Sequence, residues 1–224
     1  MKDTHEILDF CQQSIKEKHA LSSPYLTELI NGGMTKETFI QTQVQFFHAV
    51  AFFSRPMSVL MSRMLDPKKR LKILENIVEE HGNFNPAFFH ESTFKEFLKQ
   101  LSPSTADPDQ YTDLWPELKA FNSSLMATCS FDHITVALCC MGTIELMFAQ
   151  ISSVIGHAVV KNKWIQAKDL QHYTLHEKID LDHANDFFYL AHNDWNSDNH
   201  YLIEEGIHFG IFIFKRLYDD LYNH

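Results

Sequence analysis

Glycine and proline are scarce in this sequence, with seven of each among 224 residues. Sandwiches and barrels of short strands need many turns rich in these residues, so their scarcity, together with long segments of helical periodicity, disfavours an all-β fold. Hydrophobic residues form 45% of the chain, which is enough to bury a sizeable core. We therefore predict an all-α fold, a single bundle of about seven to eight helices in which residues 1–224 form one domain.

Basic residues are also few. Lys and Arg number 19 against 29 Asp and Glu, which gives a formal net charge of −10. Nucleic acids and anionic membrane surfaces are bound through clustered Lys and Arg, so we expect neither as a partner. The polar N-terminus lacks the apolar run of a signal peptide, and a cytoplasmic location is expected.

One long apolar segment, residues 134–155, raises the question of a membrane span. It carries Glu145 at its middle, and neither an aromatic belt nor a basic flank frames it. A helix that is apolar all round is equally typical of the centre of a soluble bundle. We therefore interpret the segment as a buried central helix.

The four cysteines contain no Cys-x-x-Cys pair, and the adjacent Cys139 and Cys140 are poorly placed for a structural disulfide. This pattern favours reduced thiols in a cytosolic protein. It also excludes a metal site built on cysteine pairs.

The sharpest pattern is His176-x-x-x-Asp180-x-x-His183. At about 100° per residue, offsets of four and seven place these side chains within roughly 60° of one another on one helix face. Imidazole and carboxylate are ligands that suit iron. His172 lies one turn earlier on nearly the same face. By itself the pattern is equally compatible with a solvated polar helix face.

Glu145 is the only Asp, Glu, Lys or Arg between Asp132 and Lys161. Burying a carboxylate costs several kcal/mol unless the group is paired or binds a metal. The alternative to metal binding is a buried salt bridge to Lys or Arg, but such residues are scarce on the neighbouring apolar helix faces.

A third group is the Glu-Glu-His-Gly segment at residues 79–82, followed by His90. A carboxylate at the end of one helix and a histidine at the start of the next can converge on one ion. Glu80 lies on the same helix face as the apolar residues Ile73 and Ile77, whereas Glu79 lies on the solvent-exposed face. We therefore choose Glu80 as the inward carboxylate. The alternative is a frayed acidic helix end.

With these residues, and with residues 76–82 reading Asn-Ile-Val-Glu-Glu-His-Gly, the whole chain resembles the heme-oxygenase-like di-iron oxidases and oxygenases. That family is related in fold to the TenA/PqqC group. The paired Glu-x-x-His signature of ferritin-type proteins is absent. The resemblance implies a heme-oxygenase-like bundle that holds two iron ions and uses O₂ as co-substrate. It assigns the metal ligands to Glu80, His90, Glu145, His176, Asp180 and His183. Glu79, His172 and Tyr25 are candidates for supporting positions around these ligands.

The resemblance implies oxidation of a small molecule, such as an amino acid, an amine or a fatty-acid-like compound. A chlamydial branch, which associates with death domains, makes para-aminobenzoate from its own tyrosine and is thought to need a lysine after the middle glutamate. Here residues 146–160 contain no lysine, although Tyr25 is a candidate tyrosine.

Two further alternatives stay open. One is a cofactor-free TenA/PqqC-like enzyme with Cys139 as nucleophile, although Cys139 and Cys140 are more simply core thiols. The other is a non-enzymatic binding protein on the same fold. Homodimerisation is expected from the habit of the family and from the aromatic segment at residues 209–217.

Overall fold

The structure is a computed structural model, and it describes residues 2–104, 107–108 and 113–224. Within these ranges the chain is helical, and pairing between extended segments is limited to one isolated bridge between His81 and Phe89. The α-helices are α1 (Lys2–Glu17), α2 (Pro24–Asn31), α3 (Lys36–Val50), α4 (Ser54–Arg63), α5 (Pro67–Glu80), α6 (His90–Leu101), α7 (Pro116–Phe131), α8 (Ile134–Lys161), α9 (His172–Ala191) and α10 (His200–Asn223). The all-α prediction is therefore confirmed.

Several helix ends lie where the sequence places its capping residues. The side chain of Thr35 accepts a hydrogen bond from the backbone N–H of Thr38 at the start of α3. Asp66 caps α5 in the same way, and Pro67 occupies the first helical position. Gly32 ends α2 in the left-handed conformation, with φ of 76°.

Other boundaries differ from the prediction. The described residues contain ten α-helices rather than seven to eight. Proline predicts a helix break at Pro56, but the break lies earlier, between Val50 and Ser54, and Pro56 lies in the first turn of α4. Proline is tolerated there because the N–H groups of a first turn have no partner within the helix. The sequence also predicts a helix over about residues 112–129. This helix begins at Pro116, and Thr112 itself lies outside the described residues.

The 28-residue α8 forms the centre of the protein and is buried along most of its length. By length and composition it could cross a membrane, but 83% of its most apolar window is buried against the other helices. Helix α10 approaches α8 closely at Gly206, where an added Cβ would lie 2.4 Å from the carbonyl oxygen of Val136. Helix α9 packs along α8, and all ten helices contribute to one hydrophobic core.

Candidate metal centre

The six candidate ligands come from four helices and converge in the interior. Three of them lie on α9, and the others lie at the end of α5, at the start of α6 and in the middle of α8. All six are buried: Glu80, His90, Glu145, His176, Asp180 and His183. The structure thus brings together the complete set chosen from the sequence, and the role of these residues as ligands stays a prediction.

The turn between α5 and α6 brings Glu80 and His90 together. Gly82 has a φ of 55°, and a Cβ at this position would lie 2.5 Å from the carbonyl carbon of Phe88, so glycine is required by both conformation and space. The chain then folds back through the bridge between His81 and Phe89. As a result, His90 Nδ1 lies 2.9 Å from Glu80 Oε1.

Helix α9 supplies the other wall of the cluster. His176 Nδ1 lies 2.8 Å from Asp180 Oδ1, and the His176 ring lies 4.4 Å from the His90 ring between centroids. His183 Nδ1 lies 3.6 Å from Glu145 Oε1, which is too long for a hydrogen bond. The ionisable partner of Glu145 is therefore a histidine of the cluster rather than the Lys or Arg considered from the sequence.

Within the described residues, possible ligand atoms of Glu80, Glu145 and His183 all lie within 4.8 Å of one another. This grouping differs in part from the sequence interpretation, which paired Glu80 with His90. Both contacts exist, because Glu80 lies between the two histidines. His90, His176 and Asp180 continue the cluster on the side of α6.

Five of the six candidate ligands carry a buried polar atom without a hydrogen bond. Leaving such an atom unsatisfied costs about 1–3 kcal/mol, and more when the group is charged, so native proteins contain few of them. Carboxylate oxygen and imidazole nitrogen are donors that suit iron, so the residues present fit the metal that their pattern implies. The atoms are His90 Nδ1, Glu145 Oε1, His176 Nε2, Asp180 Oδ2 and His183 Nδ1.

Burial and mutual charge shift the pKa values of these groups. Burial, reinforced by the charge of Asp180, raises the pKa of Glu145 to about 7. Burial and the neighbouring His90 lower the pKa of His176 to about 3. Burial disfavours the protonated form of His183, but the carboxylates of Glu145 and Glu79 outweigh it and raise its pKa to about 10. The cluster therefore holds neutral and charged imidazoles side by side.

Glu79 and Glu80 have different roles, as the apolar stripe predicts. Glu80 is 8% exposed, whereas the Glu79 side chain is 46% exposed. Glu79 Oε2 lies 2.7 Å from His183 Nε2 and accepts its proton in a hydrogen bond. This contact leaves Nδ1 of His183 directed at the buried carboxylates, as expected for a carboxylate that orients a metal-binding histidine.

The other two supporting candidates, His172 and Tyr25, are buried, unlike Glu79, but only His172 adjoins the cluster. Its ring lies 4.3 Å from the His176 ring between centroids. Its partner is Thr93, whose hydroxyl the sequence interpretation missed because a threonine one turn after His90 carries no distinguishing signal. The Tyr25 hydroxyl instead accepts a hydrogen bond from Gln43 and shares another with the Thr42 hydroxyl. Tyr25 does not line the cavity described next.

A small cavity of about 40 Å³ adjoins the cluster. Glu80, His90, Glu145 and His176 form one wall. Among the described residues, the remaining lining is entirely apolar, and it includes Phe46, Val50, Phe53, Phe121, Phe148 and Phe214. Val50 and Phe53 are partly exposed at the turn between α3 and α4, so this turn separates the cavity from solvent.

Cys139, the nucleophile of the cofactor-free alternative, lies elsewhere. It is fully buried in α8, and it does not line the cavity. Burial raises its pKa well above the ordinary value of a thiol, which disfavours the reactive thiolate. The four cysteines are all free and buried, as expected of core thiols.

Comparison with solved structures identifies the fold. A domain with a heme oxygenase-like fold from Shewanella denitrificans superposes with a TM-score of 0.74 at 14% identity and covers 98% of this chain and 90% of its own. A TenA homologue from P. horikoshii superposes with a TM-score of 0.72 at 15% identity, over 97% of this chain and 98% of its own. The heme-oxygenase-like bundle is therefore confirmed.

Sequence relatives agree with this result. A protein of Chlamydia muridarum named 4-aminobenzoate synthase is 21% identical over 178 residues, which cover 79% of this chain and 74% of the relative. A protein of Chlamydia pneumoniae with the same name is 23% identical over 186 residues, which cover 81% of this chain and 78% of the relative. The family described as iron-containing redox enzyme matches residues 41–208, three quarters of the chain. The protein therefore belongs to the iron-containing redox enzyme family, on a heme-oxygenase-like fold.

Proposed function

We propose that this protein is a non-heme di-iron oxidase or oxygenase that uses O₂ to oxidise a small molecule. The observation that carries the proposal is the convergence of six buried carboxylate and imidazole side chains beside a cavity, five of which carry an atom without a hydrogen bond. One iron ion would bind to Glu80, Glu145 and His183. The second iron ion would bind to His90, His176 and Asp180. When bound, the irons would supply the electrons that reduce O₂.

The chain itself contributes orientation and charge. Glu79 holds the Nε2–H of His183 so that Nδ1 faces inward. The turn at Gly82 fixes His90 against Glu80. The three carboxylates offset the positive charge of two divalent ions, and burial keeps water away from the reacting atoms.

The cavity narrows the class of substrate. Apart from the candidate ligands, its described lining has no charged or hydrogen-bonding side chain to hold an ammonium, guanidinium or carboxylate group. The part of the substrate beside the metal is therefore a hydrocarbon or aromatic group, and any polar end must contact the candidate ligands or the metal. The cavity is smaller than the roughly 150 Å³ that accommodates benzene, so its lining must rearrange to admit a substrate of that size.

The test is anaerobic loading of the purified protein with ferrous iron, followed by exposure to O₂. We expect about two irons per chain and a transient optical change that requires both iron and O₂. A protein that binds no iron, or that binds it with no response to O₂, would contradict the proposal. Candidate substrates are then screened by O₂ consumption with the iron-loaded protein.

The chlamydial relatives favour a second candidate, synthesis of 4-aminobenzoate. Tyr25 is buried, and Gln43 links it to Tyr173, which precedes the cluster on α9. Against this candidate, residues 146–160 contain no lysine. Mass spectrometry of the iron-loaded protein after O₂ exposure would decide it: formation of 4-aminobenzoate in wild type but not in Tyr25→Phe supports it, and its absence from wild type refutes it.

A further inference from the structure

His172 is a buried histidine outside the six candidate ligands. It is the first residue of α9, it is 1% exposed, and it lies one helical turn before His176. Its ring packs edge-on against Phe94, with 4.8 Å between centroids. A buried imidazole with an unsatisfied nitrogen is costly, so its placement beside the cluster calls for an explanation.

The hydrogen bonds of Thr93 indicate which nitrogen of His172 carries the proton. Thr93 Oγ1 lies 3.0 Å from the carbonyl oxygen of His90 and 2.9 Å from His172 Nδ1. A carbonyl only accepts, so the single hydroxyl proton of Thr93 is donated to His90. Thr93 must then accept a proton from Nδ1 of His172, and in the neutral ring the other nitrogen, Nε2, is an unprotonated acceptor.

The acceptor of His172 has no protein partner, and a matching nitrogen lies on the neighbouring ring. His172 Nε2 and His176 Nε2 are both buried without a hydrogen bond, and the two ring centroids are 4.3 Å apart. On His183, the outward nitrogen donates to Glu79 and leaves the other nitrogen directed inward. Metal-binding histidines almost always donate their second N–H in this way.

We propose that His172 is a positioning residue that accepts the Nε2–H of His176 after a small rotation of the adjacent rings. This contact leaves His176 Nδ1, which lies 2.8 Å from Asp180 Oδ1, to bind the metal beside that carboxylate. Nε2 of His176, which has no hydrogen bond in the structure, is then the donor to His172 and not the metal-binding atom. The resulting chain runs from His176 through His172 and Thr93 to the backbone of His90, and so it couples two candidate ligands on different helices. The inference rests on the proposed metal centre.

The first test needs no mutation. Histidine-ring ¹⁵N NMR of the zinc-loaded protein, with zinc as a diamagnetic substitute for iron, reports the protonation of each nitrogen. We expect protons on His172 Nδ1 and His176 Nε2, and a metal-shifted Nδ1 on His176. A proton on His176 Nδ1, or a metal bound directly to His172 Nε2, would overturn the inference.

The second test uses two substitutions that separate the nitrogens of His172. In His172→Asn the amide can still donate to Thr93, but the distal acceptor is lost, whereas His172→Gln places an acceptor near the former Nε2. We expect His172→Asn to weaken anaerobic ferrous and cobaltous binding about 10- to 100-fold, and His172→Gln to recover most of this loss. Equal affinity of wild type and His172→Asn would refute the role, even if the metal-free variant unfolds at a lower temperature.

The two proposals fail in different ways. Wild-type protein that binds no metal contradicts the proposed function. Wild-type protein that binds two ions with the same affinity as His172→Asn contradicts only the role of His172.

Discussion

Two buried polar groups lie side by side in this bundle, and they differ in how their atoms are partnered. The first, here called the tyrosine network, consists of Tyr25, Thr42, Gln43 and Tyr173. Gln43 donates to the Tyr25 hydroxyl at 3.0 Å and accepts from the Tyr173 hydroxyl at 2.5 Å. Thr42 bonds the Tyr25 hydroxyl and the carbonyl of Phe39. All of its side-chain polar atoms therefore have protein partners.

The cluster of six candidate ligands is equally buried, yet five of its members carry an atom without a hydrogen bond. Tyr173 and His172 are adjacent on α9, so the two groups share a helix and a similar environment. Burial therefore does not distinguish them, whereas hydrogen-bond satisfaction does. A fully satisfied network stabilises the core by itself, whereas the unsatisfied carboxylate and imidazole atoms support the proposed site for a cation.

The largest difference between the two groups is expected for Glu145→Gln. The amide removes a carboxylate from the only triad of close ligand atoms in the described residues, so we expect ferrous affinity to fall at least about 100-fold and one ion per chain to be lost. Anaerobic iron titration measures both. The matched control is Glu177→Gln, because Glu177 lies beside His176 in sequence but bonds Ser153 outside the cluster. Full retention of two ions by Glu145→Gln would contradict the assignment.

Metal affinity is expected to depend strongly on pH. The pKa of His183 is raised to about 10, so the metal-free protein holds a proton on this ring throughout the neutral range. A cation bound at His183 Nδ1 must displace that proton, so the apparent dissociation constant should fall about tenfold for each pH unit between 7 and 9. Proton release measured in weakly buffered solution checks the prediction, and a pH-independent affinity would exclude His183 as a ligand.

A smaller effect is expected for Glu79→Gln. The amide oxygen still accepts the Nε2–H of His183, but the negative charge is lost, so we expect metal affinity to fall about tenfold. Glu75→Gln, one turn earlier on the outer side of α5, is the control and should leave affinity unchanged. Identical affinities for the two variants would show that Glu79 does not orient His183.

The smallest effect on metal binding is expected for the tyrosine network. Tyr25→Phe removes the hydroxyl that joins Thr42 and Gln43, so we expect the free energy of unfolding to fall by about 1–2 kcal/mol while ferrous affinity stays within about threefold of wild type. Denaturant unfolding of the metal-free protein and iron titration measure the two quantities. Tyr201→Phe, at an exposed tyrosine on α10, should change neither. A large loss of iron affinity in Tyr25→Phe would contradict this prediction and show that the tyrosine network supports metal binding.

Local sequence signals predicted part of this structure well. The caps at Thr35 and Asp66 and the left-handed Gly32 mark helix ends because each acts within a few residues. The spacing of His176, Asp180 and His183 likewise follows from helical geometry alone. The turn between Val50 and Ser54 was misplaced, because no residue there forces a break and Pro56 is compatible with the first turn of a helix.

By itself, the sequence determined the helical class, the apolar central helix with its single carboxylate, and the inward face of Glu80. It also determined the donor chemistry of the six candidate ligands. Only the tertiary structure decided that Glu80 lies close to both His90 and His183, that Glu79 reaches His183, and that Thr93 bonds His172. The reason is physical: periodicity specifies which face of a helix a residue occupies, whereas the meeting of four helices depends on packing between residues far apart in the chain.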